Sequence, residues 1–153
     1  MWTVRPPVVP IPSAVRGHRV FGVTRAAVHA VAVEMGDRRF TAQQRDGSWE
    51  LDGTPASRTA AAALDDLVDA LVHLRAVDVF RPRDGSSFGL EQPTAVVTLT
   101  TSFRTRRVLV GAANAAGSAS SARRDGSPRV VQIGAGVLSQ LERVFYQRDR
   151  ANQ

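Results

Sequence analysis

The sequence predicts an α+β fold, in which an antiparallel meander sheet has two helices packed on one face. Strand-like apolar runs recur along the chain, and Asp-Gly turns typical of hairpins separate several of them. Two other segments instead place apolar residues at spacings of three and four, as amphipathic helices do. Runs of strands interrupted by only two helices favour helices that cover one face of an antiparallel sheet.

The first half of the chain is a proline-rich arm followed by three strands and a helix. Residues 1–17 form the arm, and the predicted strands cover residues 26–33, 39–44 and 48–51. Asp46-Gly47 is the hairpin dipeptide between the second and third strands. Ser57 is suited to cap a helix that runs from Ala60 to about Ala76. Its core-facing stripe is Leu64, Leu67, Leu71 and Leu74.

The second half repeats this order with four strands and a second helix. Strands are expected over residues 95–100, 107–111, 118–124 and 129–133, and the helix over 137–147. The chain therefore divides into an arm (residues 1–17), one α+β domain (18–147) and a frayed tail (148–153). The two halves look faintly alike, but the likeness is too weak to define a repeat.

Seven residues at turns and sheet–helix junctions form a structural signature: Trp49, Phe88, Gly89, Leu90, Pro93, Gly111 and Gly126. Gly89 and Gly126 suit backbone conformations that a side chain would disfavour. Trp49 and Phe88 are candidates for a ligand-stacking surface. Burial in the core is favoured over that role, because aromatic rings at a sheet–helix junction bury a large area.

The charge of the chain allows two interpretations. The net charge is +6, and all twenty basic residues are arginine. Guanidinium groups bind phosphate bidentately, so nucleic acid or another polyanion is one candidate partner. The arginines are nevertheless spread from Arg5 to Arg150, and a chain rich in alanine and arginine without lysine is typical of a GC-rich genome. We therefore favour codon use, and expect no specific nucleic acid.

The sequence offers no recognisable catalytic site. The chain has no cysteine, and its histidines (His18, His29 and His73) lie far apart in the sequence. Asp65 and Asp69 share a helix face, where an exposed edge that complements Arg58 or Arg75 is the simpler interpretation. The step at residues 134–136 lacks the lysine of a phosphate loop, and no Gly-x-Ser-x-Gly elbow is present. We expect no enzyme activity, no cofactor and no metal.

The N-terminal arm is the expected point of contact with a partner. No apolar run is long enough to span a bilayer, and the first residues lack the apolar core of a signal peptide. Trp2, Arg5, Pro6 and Pro7 are the candidate contact residues. An extended arm of this kind suits either a spacer that followed a membrane anchor, which we favour, or an ordinary N-terminal arm.

Five motifs in order resemble an uncharacterised bacterial domain family encoded near gliding-motility-type ABC transporters. They comprise residues 45–51 (RDGSWEL), 88–93 (FGLEQP), 97–99 (VTL), 109–111 (LVG) and 123–130 (RRDGSPRV). The resemblance covers about residues 20–146. It implies a membrane-anchored, extracytoplasmic accessory protein without established catalytic residues. The chain departs from the family pattern by lacking its N-terminal membrane helix and an aromatic residue before Arg123.

The expected function is a non-catalytic accessory or assembly module. It would make protein–protein contacts in a larger, membrane-associated complex, on the periplasmic side if an anchor precedes this segment. The first alternative is a binding module for anionic ligands, either nucleic acid or an acidic envelope polymer. The second alternative is a hydrolase whose site is too dispersed to recognise in the sequence.

Overall fold

In the part of the chain that the structure describes, nine strands form a single antiparallel sheet, and two helices cover one of its faces. The computed structural model describes residues 19–76, 78–80, 90, 92–113, 116–127 and 130–151. The strands are β1 (Val28–Met35), β2 (Arg38–Arg45), β3 (Ser48–Leu51), β4 (Thr54–Pro55), β5 (Asp78–Phe80), β6 (Ala95–Thr101), β7 (Thr105–Ala113), β8 (Ala119–Arg124) and β9 (Val130–Gly134). The helices are α1 (Arg58–Val72) and α2 (Gly136–Ala151). The predicted α+β class is confirmed.

The strand order shows two similar halves joined at the centre of the sheet. The order is β4-β3-β2-β1-β6-β7-β8-β9-β5, so β1 and β6 pair antiparallel in the middle. Each half contains a meander of four strands followed by a helix, and β5 adds a further strand beside β9 at one edge of the sheet. The faint likeness of the two halves in sequence therefore corresponds to a symmetric arrangement in the sheet.

Alternation along the strands divides the sheet into a helix-covered face and an open face. Val31 and Val33 of β1 pair with Leu99 and Val97 of β6, and all four side chains are buried. Neighbouring strands add further buried side chains to the same face: Phe40, Ala42, Trp49, Leu51, Val108, Val110, Ala122 and Ile133. The intervening positions of the central strands are partly or fully exposed. The core thus lies between this face and the helices.

Two hairpins in the first meander use the backbone geometry that Asp-Gly favours. Asp46 and Gly47 have φ angles of 54° and 81°, and Asp52 and Gly53 have 51° and 86°. Positive φ at both central residues defines the turn whose twist matches that of paired strands. The first turn joins β2 to β3 as predicted. The second joins β3 to β4, a short strand that the sequence analysis did not predict.

Helix α1 is shorter than its apolar pattern indicates. Ser57 caps it as predicted, since its Oγ accepts a hydrogen bond from the backbone N–H of Ala60 at 3.1 Å. It ends at Val72 rather than near Ala76, because Leu74 and Arg75 pair with the segment that precedes β1. The Leu74 carbonyl accepts from the N–H of Val20 at 2.9 Å, and Arg75 forms an antiparallel bridge with Arg19.

Helix α2 extends to Ala151, where the sequence analysis expected a frayed tail from residue 148. The last turns are held by Arg148. Its guanidinium donates hydrogen bonds to the Arg39 carbonyl and to Asp149, and lies 5.1 Å from the centre of the Phe145 ring. Neither described helix is both long and apolar enough to span a membrane.

A polar network joins the segment before β1, strand β3 and helix α1. The Trp49 ring is only 4% exposed, and its Nε1–H donates to Asp65 Oδ1 at 2.7 Å. Arg25 donates to Asp65 at 3.0 Å and to Asp69 at 3.1 Å. The sequence analysis expected these carboxylates to complement Arg58 or Arg75, and this was wrong, because the observed partner is Arg25. Their shared face meets Arg25, which a local helix pattern does not show.

Asp65→Ala should lower the free energy of unfolding by about 1–3 kcal/mol, since it leaves the buried Trp49 N–H without an acceptor. Asp66→Ala is the matched control. That carboxylate lies on the next face of the helix and forms one exposed ion pair with Arg143, so its loss should cost about 1 kcal/mol at most. Urea denaturation of both variants checks this. Equal losses would mean that the Trp49–Asp65 bond contributes nothing beyond a surface pair.

Candidate anion-binding site

The described signature residues have structural positions. Trp49 and Leu90 are buried, Pro93 is half-buried and Gly111 lies within β7. Gly126 has a φ of 84° in the turn after β8, the conformation that favours glycine. Trp49 is a core residue, as favoured, and not a stacking surface. Phe88 and Gly89, like the contact residues Trp2, Arg5, Pro6 and Pro7, lie outside the described residues.

Acidic and histidine side chains do not converge on a metal site within the described part of the chain. His29 Nε2 lies 2.6 Å from Ser102 Oγ, at the end of the sheet where β6 turns into β7. His73 Nδ1 lies 2.8 Å from the carbonyl of Asp69, where it closes the end of α1. These contacts occupy two of the three histidines in the chain with local structural roles.

Four arginines converge on one cavity, which we call the arginine pocket. The pocket has a volume of about 500 Å³ and is lined by Arg19, Gly22, Val23, Thr24, Arg75, Arg106 and Arg124. No carboxylate is among these lining residues. The pocket lies at the junction of three parts of the fold: the segment before β1, the chain that follows α1, and the neighbouring strands β7 and β8.

Strand register places Arg106 and Arg124 on the helix-covered face of the sheet. Arg106 lies opposite Leu99 of β6, and Arg124 lies opposite Val108 of β7, both of which are buried core residues. These two basic side chains therefore lie on the sheet face whose neighbouring positions carry apolar side chains. They lie where the apolar face of the sheet ends.

The opposite wall is the segment from Arg19 to Thr24, and Arg124 fastens it. Nη2 of Arg124 donates to the Val20 carbonyl at 2.7 Å. Val20, Phe21 and Val23 are buried, which anchors the segment on both sides of Gly22. Gly22 has a φ of 65°, and a Cβ at this position would lie 3.4 Å from Arg124 Nη2. Glycine thus permits both the turn of the segment and its close approach to the guanidinium.

Three of the four arginines in the pocket, Arg19, Arg106 and Arg124, have no counter-charge among the described residues. Arg19, Arg106 and Arg124 form no ion pair with any of them, and Nε of Arg106 and of Arg124 is buried without a hydrogen-bond partner there. Burial lowers the pKa of Arg124, and the charges of Arg106 and Arg104 lower it further. Both causes disfavour the charged form. A bound anion would offset them.

Several arginines elsewhere in the described fold do have a carboxylate beside them. Arg25, Arg38, Arg143 and Arg148 each lie within 4 Å of a carboxylate oxygen. A smaller cavity beside the start of α1, of about 180 Å³, is lined in part by Arg148 and also by Asp52. Their charged groups are 3.7 Å apart, so that cavity contains its own counter-charge. The described residues that line the arginine pocket include no carboxylate.

Sequence analysis missed this site because its four arginines are spread over more than a hundred residues and belong to no motif. One local signal was present. Arg106 precedes Val108 and Val110 at two-residue spacing, so it continues the apolar phase of β7. A charged residue in that phase indicates either the edge of the core or a site.

Comparisons of this chain with protein-family models, with curated proteins and with solved structures found no significant match. The family resemblance described from the motifs therefore stays a prediction, and the site is interpreted from its own geometry.

Charge repulsion in the pocket should make stability depend on salt. Arg106→Gln removes one of the repelling charges. It should therefore raise the free energy of unfolding by about 0.5–1 kcal/mol more at low ionic strength than at high ionic strength, where salt already screens the repulsion. The diagnostic quantity is the rise in melting temperature with added sodium chloride, which should be smaller for Arg106→Gln than for the wild type.

The matched control is Arg123→Gln. This residue precedes Arg124 on β8, lies opposite Leu109 on the open face, and does not line the pocket. It removes the same charge, so an equal salt response in both variants would contradict local repulsion in the pocket and indicate a net-charge effect.

Proposed function

We propose that this domain is a non-catalytic binding module, and that the arginine pocket takes an anionic, phosphate-like group of its ligand. The observation that supports this is the meeting of four guanidinium groups in one cavity whose described lining residues include no carboxylate. Like charges repel one another in such a site, so a fold that gathers them is most stable with an anion present.

The chemistry of the lining residues favours phosphate over a simple carboxylate. Each guanidinium is a planar fork of donors that matches phosphate oxygens bidentately. Three buried arginine Nε–H groups have no acceptor among the described residues, and two of them, those of Arg106 and Arg124, belong to the pocket, whereas the third is that of Arg123. A ligand with several acceptor oxygens and more than one negative charge satisfies the two donors of the pocket best. The cavity volume of about 500 Å³ is also larger than one phosphate needs.

The residues that line the pocket favour binding without catalysis. Its described lining residues offer no carboxylate, imidazole or thiol to act as a base or nucleophile, and Thr24 contributes the one hydroxyl among them. Guanidinium groups stay protonated and supply charge and hydrogen bonds only. The proposal keeps the expectation, from the sequence, of a module that acts by contact.

The assembly role expected from the sequence is compatible with this proposal and remains part of it. The anionic group can belong to a larger partner, in which case the pocket is the contact through which the domain joins a complex. A membrane-associated, extracytoplasmic setting stays part of the proposal. It is supported by the motif resemblance and the proline-rich arm.

Pyrophosphate is the direct probe of the proposed function. Isothermal titration calorimetry should show saturable binding to the wild-type chain. Arg106→Gln should weaken it by about 10- to 150-fold, the equivalent of a charge-assisted hydrogen bond of about 1.5–3 kcal/mol. Arg19→Gln, from the opposite wall, should also weaken it. A melting temperature close to that of the wild type would show that each variant is folded.

Arg123→Gln is again the control, with affinity expected within about twofold of the wild type, because its guanidinium lies on the other face of the sheet. Absence of saturable binding to the wild type would reject the proposal. An equal loss in the control would replace it with diffuse attraction to the net charge of the chain.

A further inference from the structure

We infer that the anionic ligand is a single-stranded nucleic acid, bound without sequence preference, whose phosphates follow a row of arginines into the pocket while a base stacks on Phe103. The inference depends on the proposed function and names the ligand class of the same site. Its basis is the turn between β6 and β7, which places an exposed aromatic ring next to that row.

Phe103 is the most exposed large apolar side chain in the described part of the chain, with 86% of its surface accessible. A single exposed ring is ordinary on a protein surface. This one differs because its backbone is held in place. Thr101, which is buried, accepts hydrogen bonds at Oγ1 from the N–H groups of Phe103 and Arg104, at 3.2 and 3.0 Å.

Two more hydrogen bonds close the same turn. The hydroxyl of Thr101 donates to the Arg104 carbonyl at 3.0 Å, and its backbone N–H donates to that carbonyl at 2.8 Å. The turn therefore presents the Phe103 ring to solvent from a fixed backbone. A stacking platform needs this property, because less conformational entropy is lost when a base binds it.

Arg104 connects this turn to the arginine pocket. It lies opposite Thr101, and Arg106 lies opposite Leu99, so both arginines are in the phase of the helix-covered face. Two residues of extended strand separate them by about 6.6–6.8 Å. The charge of Arg104 also reaches the pocket, where it contributes to the lowered pKa of Arg124. Phe103 and Arg104 thus precede Arg106 where the chain enters β7, and Arg106 lines the pocket together with Arg124.

A row of charges with an aromatic ring at its outer end suits a chain of phosphates that carries bases. Proteins that bind single strands combine a positive groove for the backbone with aromatic side chains on which bases stack. A single strand is favoured over a duplex because its bases are free to leave one another and meet the ring. An acidic polysaccharide would use the arginines in the same way, but it has no aromatic base for Phe103.

Fluorescence anisotropy with a labelled oligothymidylate tests the inference on the full chain. The wild type should bind, and Phe103→Ala should weaken binding by about 5- to 100-fold, the loss of one stacked base. Phe103→Trp should bind at least as tightly as the wild type. The control is Tyr146→Ala, an aromatic on α2 that is 59% exposed and should leave the affinity within about twofold.

Salt dependence tests the row of arginines separately. The logarithm of the affinity should fall with the logarithm of salt concentration, and each phosphate contact to a single strand contributes about 0.7 to the slope. Arg104→Gln should lower that slope by about 0.7, while pyrophosphate binding in the pocket changes little. Arg45→Gln, on a distant hairpin, should leave the slope unchanged.

Two outcomes would overturn the inference and leave the proposed function intact. In the first, Phe103→Ala binds the oligonucleotide like the wild type while Arg106→Gln does not, so stacking plays no part. In the second, an acidic polysaccharide such as polygalacturonate binds more tightly than the oligonucleotide and Phe103→Ala has no effect on it. If neither the oligonucleotide nor pyrophosphate binds, the proposed function fails as well.

Discussion

The antiparallel pairing of β1 with β6 is the constraint on which the rest of the structure depends. It joins two meanders whose helices would otherwise have separate, small cores. The register places Val31 opposite Leu99 and Val33 opposite Val97, so the apolar phases of both halves meet on one face. A slip of one residue in either strand would turn the apolar side chains of that strand to the open face. The common face is broad enough for α1 and α2 to pack side by side.

The same pairing determines where the arginines meet. Strand β6 lies at the centre of the sheet, and β7 and β8 extend the sheet beyond it. Some positions of these two strands point to the same face as the core but lie past the area that the helices cover. Arg106 and Arg124 occupy those positions, and the segment before β1 closes over them. Val20, Phe21 and Val23 supply the apolar contacts that hold this segment, and the bond from Arg124 to the Val20 carbonyl completes it. Apolar burial thus holds like charges together at one place.

Several carboxylates of this fold pair with arginines that lie outside the pocket. Asp65 and Asp69 hold Arg25 beside the buried Trp49, Glu142 holds Arg38, and Asp66 holds Arg143. The Arg38 guanidinium donates to Glu142, which raises the pKa of that arginine, whereas the pKa of Arg124 is lowered. The opposite directions reflect the neighbours of each arginine: Arg38 has a carboxylate beside it, whereas Arg124 is partly buried near other arginines.

The sequence predicted those parts of the fold that local chemistry determines. Asp46-Gly47 specified its hairpin, Ser57 its helix cap, and the leucine spacing the buried stripe of α1. The parts that escaped prediction depend on distant partners. Helix α1 ends early because Leu74 and Arg75 pair with the segment at Arg19 and Val20, and α2 continues because Arg148 has contacts with β2. The arginine pocket belongs to the same class, since only the assembled sheet brings its residues together.

The central claim is that the arginine pocket binds an anion, and nuclear magnetic resonance of the arginine Nε–H groups tests it most directly. With pyrophosphate added to the ¹⁵N-labelled chain, the signals of Arg106 and Arg124 should shift and saturate together, because their Nε–H donors gain an acceptor. Signals of Arg123 and Arg45, which lie outside the pocket, should stay in place. Small unsaturated shifts at all arginines, or shifts confined to those outside the pocket, would contradict the claim.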